Sequence, residues 1–288
     1  MAILFIVNPK LKTGRKEKLR KAIDEIFPEE DYSFFDDYVR NFPIKELEKY
    51  HHFVAVGGDG TVYRTVNLMM KTKARRFSLI PAGSGNDFAR TLGLKGEPVE
   101  ILKAVKAAAP RAMDLGRWND RYFLNIASVG LDADVNALNT SANKEIGSIS
   151  YSLKLFDAVK NYRFRKIHLE GYREEEWTLF TFGNGGYYGG GFPIFKKADP
   201  FSGNLLFLGA GRSRLSYVIP FLICLFIGRD HLFQKDMVRK TISSMEFELL
   251  EEANINLDGE NFYERGPVRV EILPGEIQYI GPLTDKRA

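Results

Sequence analysis

Cysteine occurs once in the 288 residues, at Cys224, so no internal disulfide and no cysteine-based zinc cluster can form, and a reducing compartment fits the chain best. Histidine is scarce too. His51, His52, His168 and His231 show no H-x-x-x-H spacing, which argues against an all-protein zinc site and leaves any metal to carboxylates or to a substrate. Long apolar runs are missing. The first, AILFIV, has six residues and no basic leader before it, and reads as an opening β-strand. The most apolar later stretch, 217–227, contains Pro220 and falls short of the roughly 20 residues that cross a bilayer. The expectation is a cytoplasmic protein, soluble or peripheral at a membrane. What is plentiful is ordinary: hydrophobic residues make up 44% and charged residues 27%, shares that exclude a disordered, collagen-like or coiled-coil chain.

Charge is modest overall, +4 from 41 basic and 37 acidic residues, but unevenly spread. Residues 1–112 carry 20 basic and 14 acidic side chains, and residues 113–288 carry 21 and 23. That asymmetry suits an anionic ligand on the first part, with a solvated basic face as the alternative. No nucleic-acid partner is expected, and nothing identifies an oligomeric state.

Across 1–112, short apolar runs alternate with amphipathic ones, the βαβα rhythm of a parallel sheet covered by helices. Turn residues close the apolar runs at Asn8-Pro9, Gly57-Gly58 and Pro81-Ala82-Gly83, and ligands bind at such strand ends in open α/β sheets. After about residue 112 the runs are mostly strand-like (121–128, 177–183, 205–209, 245–250, 268–273), with helical insertions near 149–161 and 215–227. The expected organisation is an α/β nucleotide-binding domain over 1–112 and a mainly-β domain over 113–288, whose last strand is free to return to the first domain.

Two loops carry the chemistry. In Gly57-Gly58-Asp59-Gly60-Thr61 an apolar strand runs into a glycine-rich turn and an amphipathic helix. Glycines let backbone N–H groups approach phosphate oxygens, and a helix N-terminus favours negative charge. Asp59 can orient a metal or a water, or simply cap the turn. In the second loop, 81–90, Ser84 offers a hydroxyl while Asn86 and Asp87 can cap the helix that starts at Phe88. Neither loop fits G-x-x-x-x-G-K-[ST] or the protein-kinase motifs.

Together, Asn8-Pro9, Gly57 to Thr61 and Pro81 to Arg90 resemble the diacylglycerol kinase and sphingosine kinase catalytic-domain family, in particular its short bacterial lipid kinases. Asp114-Leu115-Gly116, Tyr122 to Asn125, Gly183-Asn184 through Gly191, and Leu257-Asp258-Gly259-Glu260 fall in the family's order, so the resemblance covers essentially the whole chain. It implies ATP- and Mg²⁺-dependent phosphorylation of a lipid hydroxyl such as that of diacylglycerol. It also implies a C-terminal β-sandwich, an active cleft between the two domains, and transient contact with a membrane surface. By the same resemblance Asn8, Gly57, Gly58, Asp59, Gly60, Thr61, Ser84, Asn86 and Asp87 bind the nucleotide, with Ser84 in place of a Thr. Asp59 and Asp87 organise Mg²⁺, and Glu260 accepts the proton of the lipid hydroxyl, with Asp59 as its rival for that role. On spacing alone, Asp258-Gly259 reads as a hairpin turn with Glu260 exposed.

Two departures stand out. Ser202 replaces an Asp that in many relatives helps hold a second, structural magnesium, which puts a site near Asp199, Ser202 and Asn204 in doubt. The Thr expected near the end of the second strand is not found around Phe35-Asp36-Asp37. The apolar 215–227 stretch, flanked by Arg212, Arg214 and Arg229, reads as a core helix or as a membrane-contact segment. An NAD kinase-like phosphotransferase and a non-catalytic nucleotide- or lipid-binding regulator are the competing functions.

Overall fold

The structure is a computed structural model and describes residues 2–28, 32–35, 44–130, 164–173, 175–211, 220 and 237–283. The sequence readings at 149–161, at 215–227 and at Arg212, Arg214 and Arg229 lie outside the described residues, as do Asp36 and Asp37.

In the first part, β1 (Ala2–Val7), β2 (Tyr32–Phe35), β3 (Tyr50–Gly57) and β4 (Arg76–Pro81) pair in parallel in the order β4-β3-β1-β2. Their sequences are continuously apolar because both faces are covered. The period of two sorts the side chains. Ile3, Phe5 and Val7 face α1 (Thr13–Ile26) and α5 (Pro98–Ala107), while Leu4 and Ile6 face the opposite layer, which includes Val62, Val66 and Met69 of α3 (Asp59–Met69). The α5 start is a capping box of Glu97 and Glu100 around Pro98. The short helices α2 (Ile44–Leu47) and α4 (Asp87–Thr91) complete this part.

The second part is strand-rich. It comprises β5 (Arg111–Trp118), β6 (Arg121–Phe123), β7 (Ile126–Gly130), β8 (Arg165–His168), β9 (Glu176–Gly183), β10 (Leu205–Gly211), β11 (Met237–Ile242), β12 (Ser244–Leu257) and β13 (Glu260–Tyr279). The single run expected over 121–128 is two strands, broken at Leu124-Asn125, whose N–H groups turn to the Asp258 carboxylate instead of a neighbouring strand. The register of β12 shifts between Leu249 and Ala253. Rings from β5 and the first half of β12 then meet rings from β9: Phe180 and Phe247 centroids lie 4.7 Å apart, and Trp118 and Phe182 6.1 Å. Two layers thus enclose an aromatic core with Phe207, Leu257 and Val270.

All described strands belong to one hydrogen-bonded sheet, and β13 is the member shared by its two parts. It pairs with β12 and β5, and then its Gln278 and Tyr279 pair in parallel with Arg76 and Phe77 of β4. Ile277 and Tyr279, with Met113, Leu115 and Leu124, complete the core on the α3 side of the parallel strands. A buried polar relay secures the junction. Ser78 Oγ donates to the Ile280 carbonyl at 2.5 Å, so His52 Nε2, 2.7 Å away, is the donor to Ser78. Burial, reinforced by nearby Arg76, pushes the His52 pKa down to about 4 and keeps the ring neutral.

Candidate active site

The two glycine loops lie side by side because β3 and β4 are neighbours in register, with Gly57 opposite Pro81 and Ala82 N–H donating to the Gly57 carbonyl. Their contact is backbone on backbone: a methyl group on Gly83 would lie 2.8 Å from Gly58 N, so no side chain fits at that crossing. Asn86, held at φ 53 and ψ 43, braces the second loop by accepting from Gly83 N–H at 3.0 Å and donating to the Gly83 carbonyl at 2.8 Å. Asn8, one strand over, accepts from Lys10 N–H at 2.9 Å and packs beside Gly57. Ser84 is exposed at the loop tip. Thr61 is buried, with its N–H given to the Gly58 carbonyl, and its side chain fills the space beneath Gly57.

Capping is arranged differently from the sequence expectation. Asn86 makes no side-chain cap to α4. Asp59, from the other loop, accepts from Phe88 N–H at 3.1 Å and satisfies the first turn of α4. Asp87 is buried. It accepts from Arg90 Nη1 at 2.7 Å and from Gly190 N–H at 2.9 Å, which brings in the glycine cluster of the second half. Burial and then the charge of Asp59 raise the Asp87 pKa, against the N–H donors and Arg90. Both carboxylates face the space beside Gly85, where a methyl group would lie 2.9 Å from Asp59 Oδ2 and 3.8 Å from Asp87 Oδ2. Two facing carboxylates around a gap that only glycine keeps open suit a hard divalent cation.

Glu260 comes from the far end of the chain. It opens β13 directly after the two-residue turn Asp258-Gly259, whose φ values are 51 and 95. The hairpin expected on spacing alone is present, with Glu260 half-buried and not exposed. Glu260 Oε1 lies 2.9 Å from where a Gly60 Cβ would sit, so the carboxylate stands over the first glycine loop. Arg64 of α3 reaches both of its oxygens, at 3.3 and 3.4 Å.

Asp199, Ser202 and Asn204 are exposed, and their side-chain bonds stay within their own turn: Asp199 Oδ1 accepts from Phe201 N–H and Asn204 Nδ2 donates to the Ser202 carbonyl. Among the described residues, no three His, Cys, Asp or Glu side chains are placed to hold a metal ion. Sequence reasoning passed over Arg64, Thr91 and the carboxylate of Asp258. Arg64 had a signal, since it lies four residues beyond Gly60 on the same helical face. The other two had none, because the contacts that join Thr91 to Asn125 and Gly186, and Asp258 to Leu124, Asn125 and Ile126, span distant parts of the sequence.

A family model described as the diacylglycerol kinase catalytic domain matches residues 2–118, and one described as the YegS C-terminal NAD kinase beta sandwich-like domain matches residues 125–281. The chain is a lipid kinase of the diacylglycerol kinase catalytic-domain family. Relatives of the kinase named "Probable lipid kinase YegS-like" include one from Pseudomonas putida, 31% identical over 73% of this chain and 70% of its own. Another, from Pseudomonas savastanoi pv. phaseolicola, is 30% identical over 80% and 75%. The fold is that of a diacylglycerol kinase crystal structure from Bacillus anthracis str. Sterne, with a TM-score of 0.68 at 22% identity over 98% of this chain and 97% of that one. A second structure from that organism gives a TM-score of 0.73 at 24% identity, covering 98% and 95%. The leading sequence expectation, a lipid kinase, thus holds over the NAD kinase-like one, and NAD kinases enter only in the description of the sandwich-like half of the kinase.

Proposed function

We propose that this kinase transfers the γ-phosphate of ATP to a hydroxyl of diacylglycerol or a related lipid, in a cleft between the α/β part and the sandwich-like part. The observation that carries the reading is the convergence of Asp59, Asp87 and Glu260 on one glycine-lined surface, although they lie up to 201 residues apart in sequence. Backbone groups of Gly57, Gly58 and Gly60, with Asn8, Ser84 and Asn86, hold the phosphates, and Thr61 supports the loop from beneath. Asp59 and Asp87 hold Mg²⁺, which when bound neutralises phosphate charge.

In the reaction the lipid hydroxyl oxygen bonds to the γ-phosphorus, the bond from that phosphorus to the bridging oxygen breaks, and ADP leaves. Glu260 takes the hydroxyl proton. Arg64 keeps its carboxylate turned toward the loop, and Asp59, which caps α4 through Phe88 N–H, is the rival acceptor. Positioning and charge neutralisation are what phosphoryl transfer asks of a protein. The substrate resides in a bilayer, so the protein meets a membrane surface transiently; in the described residues no helix is long and apolar enough to cross one.

Radiolabelled ATP offered with diacylglycerol, sphingosine, phosphatidylglycerol or NAD in turn tests the reading. Label is expected in a lipid and not in NAD. Glu260→Gln should lower turnover by on the order of 10²–10⁴-fold, and near-wild-type turnover in that folded variant would move the proton acceptor elsewhere.

A further inference from the structure

Glu260 and the Asp59–Asp87 pair sit on segments with no covalent reason to keep a fixed separation. A buried polar strut joins them. Asp258, 7% exposed, gives its carboxylate to backbone N–H groups of the segment between β6 and β7. Oδ2 accepts from Leu124 N–H at 2.7 Å, and Oδ1 accepts from Asn125 and Ile126 N–H at 2.9 Å each. Its own N–H donates to the Ile126 carbonyl at 2.9 Å. Four hydrogen bonds thus fix the turn that presents Glu260 to the break between β6 and β7. Asn256 Oδ1 accepts from Gly259 N–H at 3.1 Å and closes the turn from inside.

The strut continues through Asn125. The Thr91 hydroxyl lies 3.3 Å from Asn125 Oδ1 and 3.2 Å from the Asp87 carbonyl, sharing its proton between them, and accepts from Gly186 N–H at 3.0 Å. One end of the network therefore carries Glu260 and the other carries α4 with Asp87. A loose surface turn would need none of this, and an Asp in a bare hairpin turn would leave its carboxylate in water.

We propose that Asp258 is a positioning residue for phosphoryl transfer: through Asn125 and Thr91 it fixes the separation between the Glu260 carboxylate and the Asp87 end of the site. This rests on the reading of Glu260 as the proton acceptor. Small misplacements of reacting groups cost on the order of 10²-fold in rate, so Asp258 acts on turnover and not on nucleotide binding, which the glycine loops provide without it.

The test is a double-mutant cycle of Asp258→Asn and Glu260→Gln, assayed with ATP and diacylglycerol in detergent micelles. Asp258→Asn should lower kcat by on the order of 10²-fold and leave the KM for ATP within about twofold, and the double variant should turn over no more slowly than Glu260→Gln alone. Multiplicative losses in the double variant, or a loss confined to the KM for ATP, would overturn the proposal. Unchanged turnover in Glu260→Gln alone would remove the premise and the proposal with it, and that single variant separates the two failures. Should Asp258→Asn not melt cooperatively, the same cycle with Thr91→Val decides by the same outcomes, and Thr91→Ser should restore turnover because it keeps the hydroxyl.

Discussion

Gly85 shows how much one missing methyl group decides. Its backbone is not in the left-handed region, so Gly85→Ala costs little in stability, yet the new Cβ would sit 2.9 Å from Asp59 Oδ2 in the gap between the carboxylates. The expected outcome is a melting temperature close to wild type with magnesium-dependent activity lost, read by calorimetry beside the kinase assay. A second residue-scale prediction concerns Asp258, whose burial pushes its pKa up to about 7 from an ordinary 3.8 despite three backbone N–H donors. The folded state then binds more protons than the unfolded chain between those values. This contribution to stability is full below about pH 4 and is lost as the pH rises to 7. His52 runs the other way: with a folded pKa of about 4 against 6.5, its contribution is full above pH 6.5 and is lost as the pH falls toward 4. The two windows overlap with opposite signs. Relative to wild type, the melting temperature of His52→Gln should therefore fall as the pH rises from 4 to 7, because the variant lacks the contribution that His52 gains over that range.

At the scale of elements, α4 is only five residues long and depends on an acceptor from another loop. Asp59→Ala removes that acceptor and should cost about 0.5–2 kcal/mol, the usual value of a helix N-terminal cap. Asp59→Asn keeps an oxygen at Oδ1 and removes the charge. Urea unfolding should therefore separate the variants by roughly that amount, while the kinase assay shows both inactive. Equal stability of the two would mean that the Phe88 N–H finds another partner.

The whole molecule is held together by β13. Ile277 and Tyr279 belong to the core on the α3 side, along with Met113, Leu115 and Leu124, so residues 1–112 do not contain their own complete core. That fragment alone should bind a hydrophobic dye and lack a cooperative thermal transition. Adding residues 113–288 in trans or restoring the full chain should recover one. A sharp melt of the fragment by itself would show that the contacts from β5 and β13 are dispensable.

Much of this was legible in residue order. Continuous apolar runs fixed β1, β3 and β4 because parallel strands are covered on both faces, and the 3.6-residue period placed α1, α3 and α5. Glycine-rich strand ends marked the two loops beside which Asp59, Asp87 and Glu260 come together, and the ordered motifs pointed to lipid kinases. Local patterns report only local demands, however. The pairing of β13 with β4, the capping of α4 by Asp59, the arrival of Gly190 N–H at Asp87 and the placing of Glu260 over Gly60 all join residues at least 29 positions apart. No periodicity encodes such contacts. They follow from which strands become neighbours in the sheet and from which buried carboxylate finds enough N–H donors to tolerate burial, and only the folded chain decides both.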